Sequence, residues 1–459
     1  MASVRTRFAP SPTGYLHIGG ARTALFAWLF SKSHKGDCIL RIEDTDKERS
    51  KDEYTDEIIN SFQWLNINFD DEVIHQSNNF DRYKQAIETL LEDGEAYICN
   101  CSQERLSKLR KEQESKGENP KYDRKCRDLN LVRSENTVVR FKFPESGTTQ
   151  FTDLVKGNLA VDNNQLDDFI IERSDGAATY NLCVVVDDID SNITHVIRGD
   201  DHVNNTFKQI NVFKAMGKSV PEFGHVPMIL GEDGKRLSKR HGALGVGEYA
   251  EMGILPQALM NYLLRLGWSK GDQEIFSQDE MTDLFKDGDF NTSPATFSME
   301  KLLWFNKHYL DDLEVDQIID ALNLPKFDKN DYSKTVIEAI RDRCSSLNDF
   351  EINSVYFFKD PTDYDEGLIK KHCKENTPDN LKLLSGYLID CEHWNQISIK
   401  EIIDQTVSEL DIGFGKIGLP LRLALTGSTN SPSIDLVCDI LGKETTLKRL
   451  DSFLSKLKN

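Results

Sequence analysis

No stretch of this sequence stays apolar for long. The longest unbroken run, Ala24 to Phe30, is seven residues, against the roughly 18 or more that a membrane-spanning helix requires. That excludes a helical membrane span, and no membrane partner is expected. Met1-Ala2-Ser3-Val4-Arg5 does not lead into an apolar segment with a small-residue cleavage site, so the expected location is cytoplasmic. Cysteine is also scarce: nine residues, an odd number, are read as reduced thiols rather than a disulfide framework. Positive charge is in deficit. With 56 Lys and Arg against 76 Asp and Glu the net charge is −20, which argues against a polyanion partner held by the whole surface. Internal repeats are lacking too.

What remains is a globular composition with local structure. At 459 residues, 39% hydrophobic and a mean hydropathy of −0.49, the chain has room for about three domains at roughly 150 residues each. The charge deficit is not uniform: Cys101 to Asp128 holds nine Lys or Arg against six Asp or Glu. A basic face on an acidic body is compatible with a transient polyanion partner.

The first forty residues read as one βαβ unit. Val4-Arg5-Thr6-Arg7-Phe8 alternates like a strand, Ala21, Ala24, Leu25, Trp28 and Leu29 share a helical face, and Cys38-Ile39-Leu40-Arg41-Ile42 is strand-like again. His34, Lys35 and Gly36 supply the cationic last turn and C′ glycine that stop a helix. Between strand and helix lies Pro10-Ser11-Pro12-Thr13-Gly14-Tyr15-Leu16-His17-Ile18-Gly19-Gly20. A glycine-containing turn at a helix start offers unpaired N–H groups and the positive end of the helix dipole to phosphate. Because the crossover is right-handed, the ligand crevice lies at the carboxyl ends of the strands, where Ser11, His17 and Glu43-Asp44-Thr45-Asp46 fall.

Farther along, Thr137 to Phe143, Phe169 to Ile171, Tyr180 to Val186 and Phe223 to Leu230 read as strands, the third fully buried. The charged stretch Glu104 to Lys125 reads as a helix ending in Gly117, Asn119 and Pro120. After about residue 246 amphipathic helical segments dominate, among them Leu255 to Leu266, Thr335 to Cys344 and Leu447 to Leu457. The fold expected is an α/β nucleotide-type domain interrupted by an insertion, followed by a helical half.

Taken singly, the chemistry-bearing motifs are weak. A histidine before a glycine pair also serves as a satisfied turn residue, and Lys235-Arg236-Leu237-Ser238-Lys239-Arg240 also reads as a solvated basic turn. Together they carry more, since a Gly-rich turn with His17 and a distant Lys-Ser-Lys loop close on a triphosphate from two sides. The pair resembles the two signature motifs of the class I aminoacyl-tRNA synthetases. With Arg41-Ile42-Glu43-Asp44-Thr45-Asp46, Val196-Ile197-Arg198-Gly199-Asp200-Asp201-His202 and Gly415-Lys416-Ile417-Gly418-Leu419-Pro420-Leu421-Arg422, the chain resembles bacterial glutamyl-tRNA synthetases over nearly its whole length. Gly20 stands where many class I enzymes carry a second histidine, and Arg240 replaces the final serine of the lysine loop. Both resemble the glutamyl branch.

The resemblance implies a Rossmann-type class I catalytic domain with an inserted acceptor-binding (connective peptide) domain and an all-helical C-terminal half. Its parts would be 1–100 and 187–245 for the catalytic domain, 101–186 for the insertion, 246–310 for a stem-contact helical domain and 311–459 for the anticodon-binding domain. It implies ATP-dependent activation of L-glutamate and transfer to the terminal adenosine of tRNA(Glu), in a monomer. His17, Lys235, Lys239 and Arg240 would be catalytic. Arg7, Ala9, Ser11, Glu43, Tyr180 and Arg198 would bind glutamate, the arginines presenting a planar fork to its side-chain carboxylate. ATP, with Mg²⁺ on its triphosphate, would meet Pro10, Thr13, Gly14, His17, Gly19, Gly20, Asp200, Leu237, Ser238 and Lys239. Asp46, Lys108, Arg110, Lys111, Lys121, Arg124, Lys125 and Arg343 would meet tRNA. On the residues alone Arg7 also reads as a surface strand residue, Tyr180 as core and Arg343 as a solvated cation.

Cys99-Asn100-Cys101 followed by Cys126 resembles the zinc knuckle of some glutamyl enzymes. Structural zinc takes four ligands, and the fourth is Asp128 or Tyr122; three reduced cysteines without metal is the other reading. The rivals are a glutaminyl-tRNA synthetase, which predicts a β-rich C-terminal half, and a small nucleotidylyltransferase, which would bind no tRNA.

Overall fold

The structure, a computed structural model, describes residues 3–46, 48–237, 244–287 and 289–457. They pack into two compact units, one of residues 1–249 with 256–302 and one of 250–255 with 303–459.

In the first unit, β1 (Arg5–Phe8), α1 (Ile18–Ser33) and β2 (Asp37–Ile42) form the expected βαβ unit, with β1 and β2 parallel from Arg5–Asp37 to Phe8–Leu40. There follow α2 (Asp52–Trp64), β3 (Ile74–His75), α3 (Phe80–Glu92), β4 (Ala96–Cys99) and α4 (Gln103–Ser115). Next come β5 (Val138–Phe141), β6 (Thr148–Asp153), β7 (Gly157–Asp162), β8 (Ile170–Glu172) and α5 (Tyr180–Asp190). The unit continues through β9 (His195–Gly199), α6 (Val203–Ala215), β10 (Glu222–Val226), β11 (Ile229–Leu230), α7 (Val246–Glu251), α8 (Pro256–Arg265), α9 (Gln278–Leu284), β12 (Ala295–Thr296) and α10 (Met299–Asp312), the last entering the second unit.

Two parallel arrangements frame the site. One sheet runs β1-β2-β3; a second runs β7-β6-β10-β9, in which the antiparallel β6–β7 hairpin extends the parallel pair β9–β10. The Thr194 N–H, just before β9, donates to the Arg5 carbonyl at 2.9 Å, so β9 starts beside β1. The strand order thus reverses between β1 and β9, and a crevice opens at the carboxyl ends of strands at such a point. A separate antiparallel sheet, β4-β5-β8, carries the inserted chain.

Three sequence readings change. Helix α1 is buried continuously from Ala24 to Ser31, not along one stripe, because sheet covers one side and α8 and α9 the other. Its end is made by Lys35 at φ +55° rather than by a left-handed glycine; Gly36 is needed because a Cβ there would overlap the Val4 carbonyl oxygen. Tyr180–Val186 is the start of α5, not a strand: an unbroken apolar run carries no period, and here it is buried among α3, β5, β8 and α6.

Smaller differences follow from local chemistry. The Phe223–Leu230 run is broken at Pro227, which has no N–H to give a ladder. Helix α4 stops at Ser115, just before Gly117 at φ +72°, the first of the three residues expected to end it. The helix read over Thr335–Cys344 begins earlier, at Asp331, because the Asn330 side chain caps it by accepting from the Ser333 N–H at 2.8 Å.

The second unit is helical: α11 (Val315–Leu322), α12 (Asp331–Ile340), α13 (Leu347–Phe358), α14 (Glu366–His372), α15 (Thr377–Ile389), α16 (Gln396–Glu409), α17 (Gly415–Thr426), α18 (Ile434–Leu441) and α19 (Lys443–Leu457). Among the described residues from 303 onward there is no β-strand, which removes the β-rich rival. Nor, among the described residues, is any helix long and apolar enough to cross a membrane.

Candidate active site

A cavity of about 810 Å³ opens at the carboxyl ends of β1 and β9. Its wall takes Arg7, Ala9, Ser11, Thr13, Gly14, His17, Gly19 and Gly20 from the first βαβ unit, with Glu43, Tyr180 and Arg198 opposite. Arg236 and Leu237, then Leu244 and Gly245, line it as well. The two flanks of the lysine loop therefore share one cavity with the His17 turn. Gly245 also bridges His17, and the Val246 N–H donates to the Leu16 carbonyl at 2.9 Å.

His17 caps α1. Its Nδ1 accepts from the Gly20 N–H at 3.2 Å, so the neutral ring carries its proton on Nε2. Burial, with Arg236 nearby, lowers the His17 pKa below the usual imidazole value, favouring that neutral donor form. Gly19 lies close against the ring, where a Cβ would sit 3.1 Å from Cε1 and Nδ1. A phosphate oxygen placed at this helix start would meet backbone N–H groups, the dipole and an imidazole N–H.

Beneath the cavity lies an ion-pair floor. Asp188 Oδ1 on α5 accepts from Arg7 Nε at 3.2 Å and from an Arg41 Nη at 2.6 Å, while Arg41 also lies 3.5 Å from Glu43 and 3.8 Å from Asp187. Asp187 in turn accepts from Gln76 (2.8 Å), Asn79 (3.1 Å) and the Tyr83 hydroxyl (2.9 Å). Burial opposes the charge on Asp188, yet Arg7 and Arg41 overcome it and hold its carboxyl below the ordinary range. At Glu43 burial prevails over Arg41 and Arg7 and pushes the carboxyl up. Burial also opposes the charge on Arg41, and Asp188, Glu43 and Asp187 together outweigh it.

Arg198 is different. It is 5% exposed, and among the described residues no carboxylate lies within ion-pair distance of it. Its Nε donates to His225, one Nη donates to Thr206 and Gln209, and the other Nη is buried without a partner. A buried guanidinium with an unsatisfied nitrogen on a cavity wall suits an anionic ligand group.

Some expected residues fall elsewhere. Pro10 does not line the cavity; its carbonyl accepts from the Glu43 N–H at 2.9 Å and so places Glu43. Asp200 turns away to pair with Lys156 at 2.8 Å, and the adjacent Asp201 takes the cavity position, because the two lie on one 3₁₀ turn and point differently. Lys235 is exposed and off the wall, its backbone carbonyl closing the turn to Gly231. Ser238, Lys239 and Arg240 lie outside the described residues. Asp46 is half-buried and pairs with Arg49 at 2.7 Å.

In the insertion, Lys108, Arg110, Lys111, Lys121 and Lys125 are exposed. Arg124 is committed inward, to Asp168 at 3.3 Å and the Leu166 carbonyl at 3.2 Å. In the second unit, Arg343 donates to Asn430 at 2.7 Å.

The cysteine knuckle closes. The thiol sulfurs of Cys99, Cys101 and Cys126 lie within 4.8 Å of one another, Cys101 to Cys126 at 3.5 Å. Zn–S bonds of about 2.3 Å in a tetrahedron place sulfurs roughly 3.8 Å apart, so the triad fits zinc. The Tyr122 hydroxyl lies 3.4 Å from the Cys99 sulfur and 3.6 Å from that of Cys101, and it accepts from the Cys126 N–H at 3.0 Å. Asp128 is exposed and outside this group, because the turn after Cys126 carries it to the surface.

A crevice at the carboxyl ends of parallel strands, a histidine-capped glycine turn and a loop whose two described flanks reach the same wall agree with a class I aminoacyl-tRNA synthetase. The family model for the catalytic domain of class I tRNA synthetases (E and Q) matches residues 3–304, and an anticodon-binding-domain model matches residues 304–454. A glutamate–tRNA ligase of Francisella tularensis subsp. novicida (strain U112) is 48% identical over 99% of both chains, and that of Francisella philomiragia subsp. philomiragia is 46% identical over 99% of this chain and 100% of its own. Among solved structures, a glutamate tRNA ligase from Elizabethkingia meningosepticum in complex with its amino acid superposes with a TM-score of 0.88 at 31% identity, covering 99% of this chain and 100% of that one. The chain belongs to the glutamate–tRNA ligases, class I enzymes of tRNA aminoacylation.

Proposed function

We propose that the chain activates L-glutamate with ATP and transfers it to the terminal adenosine of tRNA(Glu). A glutamate α-carboxylate oxygen attacks the α-phosphorus, the bond to the bridging oxygen breaks, and pyrophosphate leaves. The adenosine 2′-hydroxyl then attacks the acyl carbon of the mixed anhydride, loses its proton, and AMP departs. Little proton transfer is needed, so rate comes from alignment and from cations that meet the growing charge. His17 donates a hydrogen bond from Nε2–H to phosphate oxygens, and Lys239, with Lys235 and Arg240, supplies the cations that meet the charge growing on the triphosphate. Mg²⁺, when bound on the triphosphate, neutralises charge there.

Arg7 and Arg198 read the side-chain carboxylate, Glu43 holds the ammonium, and Ala9, Ser11 and Tyr180 complete the pocket. Glutamine fails because a guanidinium offers its amide no acceptor. Lys108, Arg110, Lys111, Lys121 and Lys125 contact acceptor phosphates, Asp46 lies near the terminal adenosine, and Arg343 serves the anticodon side. Cys99, Cys101 and Cys126 with Tyr122 hold a structural zinc where the 101–186 insertion begins, and the enzyme acts as a cytoplasmic monomer.

The observation that carries this reading is the shared cavity: both flanks of the lysine loop line the wall that His17 caps. The test is ATP–pyrophosphate exchange with glutamate and glutamine side by side, with and without tRNA. Exchange with glutamate alone, dependent on tRNA, is expected. Comparable exchange with glutamine would defeat the pocket assignment.

A further inference from the structure

Arg198 does not hold its own orientation. It is set by His225 on β10, whose Nε2 accepts from Arg198 Nε at 3.2 Å and lies 2.9 Å from the Thr206 hydroxyl. The ring is fully buried, and its Nδ1 lies 2.5 Å from Asp153 Oδ2. Asp153, at the end of β6, is itself pinned: its other oxygen accepts backbone N–H groups of Val155 (2.9 Å), Lys156 (2.8 Å) and His225 (3.1 Å). A carboxylate is acceptor-only, so Asp153 keeps the His225 proton on Nδ1 and leaves Nε2 bare. Only that tautomer accepts from Arg198; the other would set an Nε2–H against the guanidinium N–H.

We propose that Asp153 and His225 are positioning residues for substrate selection, fixing the plane of the Arg198 guanidinium so that its unpartnered nitrogen meets the side-chain carboxylate of the amino acid. This rests on the reading that Arg198 binds that carboxylate. Burial lowers the His225 pKa although Asp153 pulls it up, which agrees with a neutral ring. The arrangement also ties a residue of the β6–β7 hairpin, a segment inserted between the halves of the nucleotide fold, to the amino-acid pocket through one imidazole.

The test is steady-state exchange by the full-length enzyme with Asp153→Asn, His225→Gln, the double variant and Arg198→Gln. In Asp153→Asn the amide N–H₂ faces Nδ1, the proton moves to Nε2, and the glutamate KM rises about tenfold or more, as expected for a lost hydrogen bond to a charged group. The ATP KM and kcat stay within about threefold. ¹⁵N-histidine NMR of the same preparations reports the proton on Nδ1 in the parent and on Nε2 in the variant. His225→Gln supplies a carbonyl acceptor whose identity does not depend on Asp153, so adding it to Asp153→Asn restores much of the glutamate KM.

An unchanged glutamate KM in Asp153→Asn, or a rise with no rescue and an equal loss in ATP KM and kcat, overturns the positioning role. Arg198→Gln separates the two claims. If it leaves the glutamate KM alone, the carboxylate reading itself falls; if it raises KM while Asp153→Asn does not, only the positioning role falls.

Discussion

Replacing Asp188 with asparagine removes one charge from the ion-pair floor without changing its shape. Asp188 is 3% exposed and Arg41 is fully buried, and one carboxylate oxygen serves both Arg41 at 2.6 Å and Arg7 at 3.2 Å. An exposed pair would be worth little. Here removing one partner strands buried guanidinium charge, which costs about 3–5 kcal/mol. At 1.36 kcal/mol per tenfold, that is roughly two to three and a half orders of magnitude in the opening equilibrium. Hydrogen exchange of β1 and α5 amides reads it in the first unit alone, and those amides should exchange faster by that factor at pH 7.

The pH dependence has a definite sign. The folded-state carboxyl of Asp188 lies below its ordinary value, so its contribution is fully present above the unfolded pKa of about 4 and is lost as pH falls through the lower folded value. The gap between parent and Asp188→Asn should be flat from neutral pH to about 5 and narrow only in acid. Because Arg7 loses its anchor, the glutamate KM should rise in the same variant. A penalty under about 1 kcal/mol, or a gap that widens in acid, would refute the ion-pair account of the floor.

Two further outcomes follow from the site. His17→Asn keeps a capping oxygen for α1 but loses the Nε2 donor, so exchange should fall by about 10²–10³-fold with thermal stability within about 1 kcal/mol of the parent; His17→Ala should lose activity and, in addition, about 0.5–2 kcal/mol for the cap. Equal activity in parent and asparagine variant would remove His17 from phosphate binding. In the insertion, Tyr122→Phe should weaken zinc retention against a chelator while Asp128→Ala leaves it unchanged, read by metal analysis after dialysis; the reverse order would return Asp128 to the ligand set.

The βαβ unit was legible because its strands alternate and its helix has both a turn before it and a stop after it. Part of the cavity wall was legible for a similar reason: Ser11, His17 and Glu43 follow strand ends, where topology concentrates ligands, whereas Arg7 came from the family resemblance alone. The floor was not. Arg41 lies between Leu40 and Ile42 in a strand that is buried almost throughout, and a cation there was the available signal of a buried counter-charge. Asp187 and Asp188 fell past the end of Tyr180–Val186, which read as a strand, and so drew no role; with helical geometry the same pair turns inward. Asp153 and His225 gave no signal, since their meeting depends on a hairpin docking beside β10, a long-range pairing without local pattern.

The same charges bear on how the proposed pocket of an acidic protein would read an anion. Arg7 and Arg41 together face Glu43, Asp187 and Asp188, so the floor offers no surplus positive charge, and a carboxylate brought to Arg7 competes with Asp188. Arg198 pairs with no carboxylate among the described residues; its partners are a hydroxyl, an amide oxygen and an imidazole nitrogen. Neutral acceptors orient a guanidinium while leaving its charge uncancelled, whereas a carboxylate partner would orient and discharge it together. On the proposed role of Arg198, selectivity for an anionic side chain therefore depends on its supports remaining uncharged. The histidine at that position meets this requirement only while a second residue fixes where its proton sits.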